Sequence, residues 1–351
     1  MDMNKILSMG KLTIAFIYNV RQKYPDPDDV DTQIGADCED PEVIEAIVKH
    51  LRECGYTILP IEANKEAYLK LYSARKNIDI AFNFSEGIFG KDREAQIPAM
   101  LEMLQIPYIG STPLSQALML DKAKTKEILI ANNIPTLPFQ LFKTGHEPLN
   151  KKLSFPLIVK PDSEGSGAGI TNKSIVHTSA QLKKQVNYIL NSFHEPVIVE
   201  PFLTGPEYSI AMIGNPPKIL PYISPNHQML PKGYAPIDSL EVKWIFEEQV
   251  SHENYLVCPA IVSKSMEKKI NAICFALWDA LNIRDWCRID LRCDNNSNPY
   301  VLEINSPPGL LPPEISTTSY FPLAARVAGI TFNQLLSLLI STGVKRYGIK
   351  S

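Results

Sequence analysis

Three times in the first hundred residues a short apolar run is followed by a stretch with helical spacing, and few folds accommodate that alternation. Leu12 to Tyr18, Thr57 to Ile61, Ile78 to Phe84 and Ile106 to Ser111 read as strands. Between them lie a helix opened by Asp40 and Pro41 and stopped by Gly55, a second near Lys65 to Arg75, and a third at Gln96 to Leu104. Strand alternating with helix means a parallel sheet with helices on its faces. In such sheets ligands sit outside the carboxyl ends of the strands. Two polar loops leave those ends. One is the acidic Tyr24 to Asp40, which cannot bury itself and faces solvent or substrate. The other is Asn83 to Ala95, where Glu86 and Arg93 are candidates for gripping a polar substrate or are simply exposed.

A second constraint comes from Arg288 to Asn305, RIDLRCDNNSNPYVLEIN. Two runs of β-formers flank a turn cluster, so the segment reads as a hairpin. Folding it about Asn296 and Ser297 sets Asp290 opposite Glu303, and Asn305, two residues on, shares the face of Glu303. Oxygen ligands without cysteine or histidine suit a hard cation such as Mg²⁺, with Mn²⁺ able to replace it. The plainer alternative is a solvated hairpin whose acids happen to align. Apolar residues between the acids argue for burial, where an unpaired carboxylate is costly.

Between these regions lies Phe155 to Ile170, FPLIVKPDSEGSGAGI, a buried strand ending in Lys160 and then a loop with Gly165, Ser166 and Gly167. Glycines let backbone N–H groups approach an anion. No GK[ST] follows and the next stretch, Thr171 to Val176, reads as a strand, so neither a Walker loop nor a dinucleotide fingerprint fits. A glycine hairpin that covers phosphates fits better, although such a loop is often only a turn. Leu114 to Asn132 reads as one helix carrying Lys122, a residue of interest only in this company. Glu200 to Glu207 links two strands and can edge an adenine ring and a ribose, or form surface ion pairs. Ser224 to Val242 reads as a mobile loop ahead of Lys243.

At 351 residues the chain is long enough for two or three domains. Its net charge of -3 gives no electrostatic reason to expect nucleic acid or an anionic membrane as partner. Six scattered cysteines fit reduced thiols, the first ten residues do not make a signal peptide, and no apolar run of about 18 residues occurs. The expectation is a cytoplasmic protein.

Seven segments, in order, resemble the ATP-grasp enzymes and among them the D-alanine-D-alanine ligases: IPYIGS from Ile106, Asp121-Lys122, VKPDSEGSGAGI, VEPFLTGPE from Val199, CRIDL from Cys287, LEINSPPG from Leu302 and SYFPLAARVAGITF from Ser319. The resemblance implies an ATP-grasp fold, α/β and α+β, with an N-terminal parallel α/β domain at 1–112, a central subdomain at 113–204 and a C-terminal one at 205–351. It implies that Lys122, Lys160 and Lys243 contact ATP phosphates under the Gly165-Ser166-Gly167 flap, that Glu200, Phe202 and Leu203 edge the adenine, and that Glu207 holds the ribose. Asp290, Glu303 and Asn305 would bind two Mg²⁺ ions, Arg288 and the Gly309 N–H would meet the tetrahedral intermediate, and Ser319 the second substrate's carboxylate. Homodimerisation is also implied, by analogy.

The expected reaction joins a small-molecule carboxylate to an amine. The carboxylate attacks the γ-phosphate of ATP, giving an acylphosphate that an amine then captures. Departures are equally informative. The family's glycine-serine turn and glutamate after the first strand are replaced by the acidic loop, its histidine-glycine pair by NFSEG, and extra residues including PPEIS stand between Asn305 and Ser319. The ATP machinery is retained while both substrate pockets are rebuilt. Two alternatives stay open, an inactive nucleotide-binding regulatory protein of the same fold and a phosphorylating enzyme that does not ligate.

Overall fold

The computed structural model describes residues 12–246 and 255–349. The expectation about the first ten residues lies outside them. In the first sheet, β1 (Thr13–Tyr18), β2 (Thr57–Glu62), β3 (Ile80–Phe84) and β4 (Tyr108–Ile109) run parallel in the order β2-β1-β3-β4. Every residue of β3 is buried, as a strand covered on both faces requires. Asp40 stands at the N-cap of helix Pro41–Glu53 but makes no capping bond. Its carboxylate instead takes a bidentate pair from Arg21 at 3.0 and 2.9 Å, and the charged partner outcompetes a backbone amide.

The second sheet is antiparallel, built from β5 (Gln140–Phe142), β6 (Leu157–Pro161), β7 (Ile175–Val176) and β8 (Val197–Pro201) in the order β5-β8-β6-β7. The expected strand after the glycines is mostly a tight turn, Asn172–Ser174, with Thr171 and Ser174 forming a capping box, and only β7 pairs. The expected single helix at 114–132 is two, Pro113–Leu120 and Lys122–Ala131. Asp121 breaks it because its carboxylate caps the Lys124 N–H at 2.8 Å.

The third sheet is β10-β9-β13-β14, formed by β9 (Glu207–Ile213), β10 (Lys218–Ile219), β13 (Trp286–Cys293) and β14 (Pro299–Asn305), with the short pair β11 (Ser224–Pro225) and β12 (Leu256–Val257) beside it. The loop ahead of Lys243 thus holds a strand and a turn, His227–Met229, and ends in a π-type turn at Val242–Phe246. The last helix, Phe332–Tyr347, lies in the C-terminal part of the sequence and packs on the first sheet. A Cβ on Gly343 would stand 2.7 Å from Ile109 and 2.9 Å from Ile80. Fully buried Asp285, at the start of β13, accepts from Arg346 of that helix at 2.7 Å and from the Gly110 N–H at 2.8 Å, pinning the end of β4 to the third sheet. The first and third sheets are therefore joined at the end of β4. Among the described residues no single helix is long and apolar enough to cross a membrane.

Candidate active site

The hairpin places its polar residues by strand alternation. Asp290 pairs with Glu303 and Arg288 with Asn305, and a bulge follows Asp290. The Asp290 carboxylate accepts from Arg288 at 2.8, 3.0 and 3.1 Å, from Ser209 at 2.6 Å and from the Asn305 amide at 3.1 Å. Because Asn305 spends its N–H on Asp290, its carbonyl oxygen is the atom left for a ligand. Burial alone would raise the Glu303 carboxyl, but Lys122, Lys243, Arg288 and Lys160 more than offset it and hold it below the usual range. Arg288 also lies 5.1 Å from the Tyr320 ring.

The second strand pair, β6 and β8, sets Lys160 beside Glu200, and the two side chains form an ion pair. Glu200 is fully buried and has a second partner, Lys126, at 2.7 Å. Burial would raise its pKa, but the two ammonium groups hold it down to about 2. Glu200 lines the smaller cavity beside Phe202 and Leu203, and its carboxylate orients Lys160. Lys126 escaped the sequence reading, although it follows Lys122 by four positions and so shares its helix face. Glu207 pairs with Arg292 at 3.1 Å, and Phe202 lies under the same guanidinium at 5.3 Å.

The glycine loop closes over these groups. Ser166, Gly167 and Gly169 have φ of 47°, 80° and 70°, and a Cβ on Gly169 would stand 2.4 Å from Pro161. Lys122 donates to the Glu164 carbonyl beneath the loop, and Trp244, next to Lys243, donates to the Ser166 carbonyl at 3.2 Å.

Two cavities meet here. The larger, about 720 Å³, is lined by Glu86, Lys122, Gly165, Ser166, Lys243, Arg288, Glu303, Asn305, Gly309 and Ser319, together with Arg21 and Glu39 of the first unit. The smaller, about 70 Å³, is lined by Lys160, Gly167, Glu200, Phe202, Leu203, Glu207 and Asp290. Gly165, Lys243 and Glu303 belong to both. Arg93 lines neither: its guanidinium binds Asp37 at 3.0 Å, Glu164 at 3.4 Å and the Ser163 carbonyl at 2.9 Å. Its neighbour Glu94 faces the larger cavity instead. Ser319 accepts the Leu311 N–H at 3.3 Å, which fixes its hydroxyl beside Gly309.

The donor set suits a hard cation. Among the described residues no three His, Cys, Asp or Glu side chains converge on a metal position. Two carboxylates and one amide oxygen are what Mg²⁺ uses when phosphates and water complete its shell.

The parallel unit, the two antiparallel sheets and a glycine flap over buried lysines define an ATP-dependent carbon–nitrogen ligase of ATP-grasp architecture. The D-ala D-ala ligase C-terminus family model matches residues 128–341, so the chain belongs to the D-alanine-D-alanine ligase family. It is 32% identical over 312 residues to uncharacterized protein y4sG of Sinorhizobium fredii, covering 87% of this chain and 88% of that one. It is 30% identical over 300 residues to D-alanine--D-alanine ligase of Haemophilus influenzae, covering 84% and 91%. The D-alanine--D-alanine ligase of Bacillus anthracis complexed with ATP superimposes with a TM-score of 0.70 over 96% of this chain and 99% of that one, at 24% identity.

Proposed function

We propose that this ligase activates one amino acid, or an amino-acid-like acid, as its acylphosphate and joins it to the amine of a second, the pair differing from two D-alanines. The observation that carries the reading is the position of Glu303, an ionised carboxylate shared by the nucleotide pocket and the substrate cavity, with Arg288 and Gly309 on the substrate side. Lys122, Lys160 and Lys243 bind and orient the triphosphate. Asp290, Glu303 and Asn305 would hold Mg²⁺ or Mn²⁺, whose charge offsets that of the phosphates. The donor carboxylate attacks the γ-phosphorus and ADP leaves. The acceptor amine then attacks the acyl carbon, Arg288 with the Gly309 N–H meets the charge that develops on oxygen, and the intermediate collapses by cleaving the acyl C–O bond, releasing inorganic phosphate and the amine's proton. Ser319 binds the acceptor carboxylate. The flap and the turn at Lys243 exclude water, which would otherwise hydrolyse the acylphosphate.

The altered pair is supported by the walls of the larger cavity. Its volume of about 720 Å³ is in the range that holds drug-sized ligands. Glu39, Glu86 and Glu94 line it from the two replaced loops, and Ile315 to Thr318 from the longer loop before Ser319. A screen of ADP release and product mass over pairs of D- and L-amino acids tests the reading. Strong turnover with D-alanine alone would refute the altered pair, and no ADP release with any acid and amine would refute ligation. Cytoplasmic location and a homodimer complete the proposal, on family analogy.

A further inference from the structure

Arg93 has the composition of a substrate-binding residue and the surroundings of something else. Its side chain is 14% exposed and stands outside both cavity walls, held by two carboxylates and a carbonyl. Those partners belong to different parts of the chain. Asp37 comes from the acidic loop of the first unit, whereas Ser163 and Glu164 begin the glycine flap. The junction is tight, because a Cβ on Gly165 would stand 2.5 Å from the Asp37 carboxylate. At the far end of the flap the Gly169 N–H donates to fully buried Gln33 at 3.0 Å, and Gln33 also comes from the acidic loop. The flap is thus fastened at both ends to a segment that the sequence reads as facing solvent or substrate.

A glycine-rich loop with three backbone angles in the left-handed region has little stiffness of its own. Whether it stays down over the phosphates depends on what it is fastened to. We infer that Arg93 is a positioning residue that, with Asp37, latches the flap to the acidic loop and so keeps ATP turnover coupled to amide formation. The inference rests on the ligase reading. With the latch released, water reaches the acyl carbon, takes the place of the amine, and yields the free carboxylate and inorganic phosphate. ADP is then released without product.

The test compares wild type with Arg93→Ala, Arg93→Lys and Asp37→Asn at saturating ATP and substrates, measuring ADP and amide in the same reaction. Wild type should form one amide per ADP. Arg93→Ala should release several ADP per amide and show about a tenfold higher KM for ATP, since it loses three charge-assisted bonds. Arg93→Lys, which keeps the charge, should recover part of the coupling, and Asp37→Asn should leak less than Arg93→Ala. A role in stability alone would lower ADP and amide together with their ratio unchanged, and that result would overturn the inference. Hydrogen exchange gives a readout independent of catalysis. Amides of 163–170 should exchange about tenfold faster in Arg93→Ala while those of β1 do not change. Equal exchange in both proteins would defeat the latch, and a wild type that released no ADP would defeat only the ligase reading.

Discussion

Replacing Glu200 by glutamine probes the most completely buried charge in the site. The residue has no exposure, and its partners Lys126 and Lys160 have side chains only 2% and 8% exposed. A carboxyl held down to about 2 from an ordinary 4.5 favours its ionised form by about 3 kcal/mol. Because the folded value is depressed, that stability is present above about pH 4.5 and is lost as the pH falls towards 2. Glutamine keeps the shape and removes the charge, leaving two buried ammonium groups without a counterion. Breaking a buried pair on one side costs about 3–5 kcal/mol. On a unit of this size the melting temperature should fall by on the order of 10 °C at pH 7, with the difference shrinking towards pH 3. Adding Lys126→Met removes one of the stranded charges and should recover more than about 1 kcal/mol, a coupling only groups in contact show. Thermal melts of the four proteins of this cycle, at several pH values, measure all three effects. A Glu200→Gln protein melting within about 2 °C of wild type at pH 7 would refute the reasoning. So would a double variant no more stable than the single one.

The other expectations concern catalysis and pH. Glu303→Gln should abolish divalent-ion-dependent ADP release while the protein still folds, at a lower melting temperature because four cations lose their counter-charge; measurable ADP release on adding Mg²⁺ would count against Glu303 as the shared ligand. Arg288→Ala should lower kcat by about 10²–10³, as loss of an oxyanion donor does, and Arg288→Lys should not restore it because lysine cannot reproduce the bidentate grip on Asp290. Burial pushes Glu39 up to about 7 and Glu94 up to about 8. A carboxyl raised in the fold contributes stability that is present below about pH 4.5 and lost as the pH rises through the folded value, so the melting temperature should decline between pH 5 and pH 8. Glu94→Gln should flatten that decline, and an unchanged slope would show that these groups titrate normally.

What the sequence reveals of this site depends on how far the deciding interaction lies from the residue itself. The register of Asp290 against Glu303 is legible because a strand repeats every two residues and the turn between them is chemically marked. The parallel sheet is legible for the same reason, since its alternation is local. Helix Phe332–Tyr347 is also legible as a helix, but periodicity does not say which sheet it covers, and only the absence of a side chain at Gly343 marks the approach to Ile80 and Ile109. Charged residues are the hardest to read, because a sequence shows the charge and not the counterion that claims it. Asp40 suits a helix cap and is claimed by Arg21; Glu200 suits a surface ion pair and is claimed instead by buried Lys126 and Lys160; Arg93 suits a substrate and is claimed by Asp37 and Glu164. In each case the partner is brought in by tertiary folding, and at Asp40 a full charge at less than 4 Å outcompetes the weaker local bond that the sequence suggests. Glu303 differs because its neighbours are four cations that keep it ionised without a close ion pair among the described residues. That leaves the Glu303 oxygens free for the cation proposed above, whereas Asp290 would join it only by sharing oxygens that Arg288, Ser209 and Asn305 already orient.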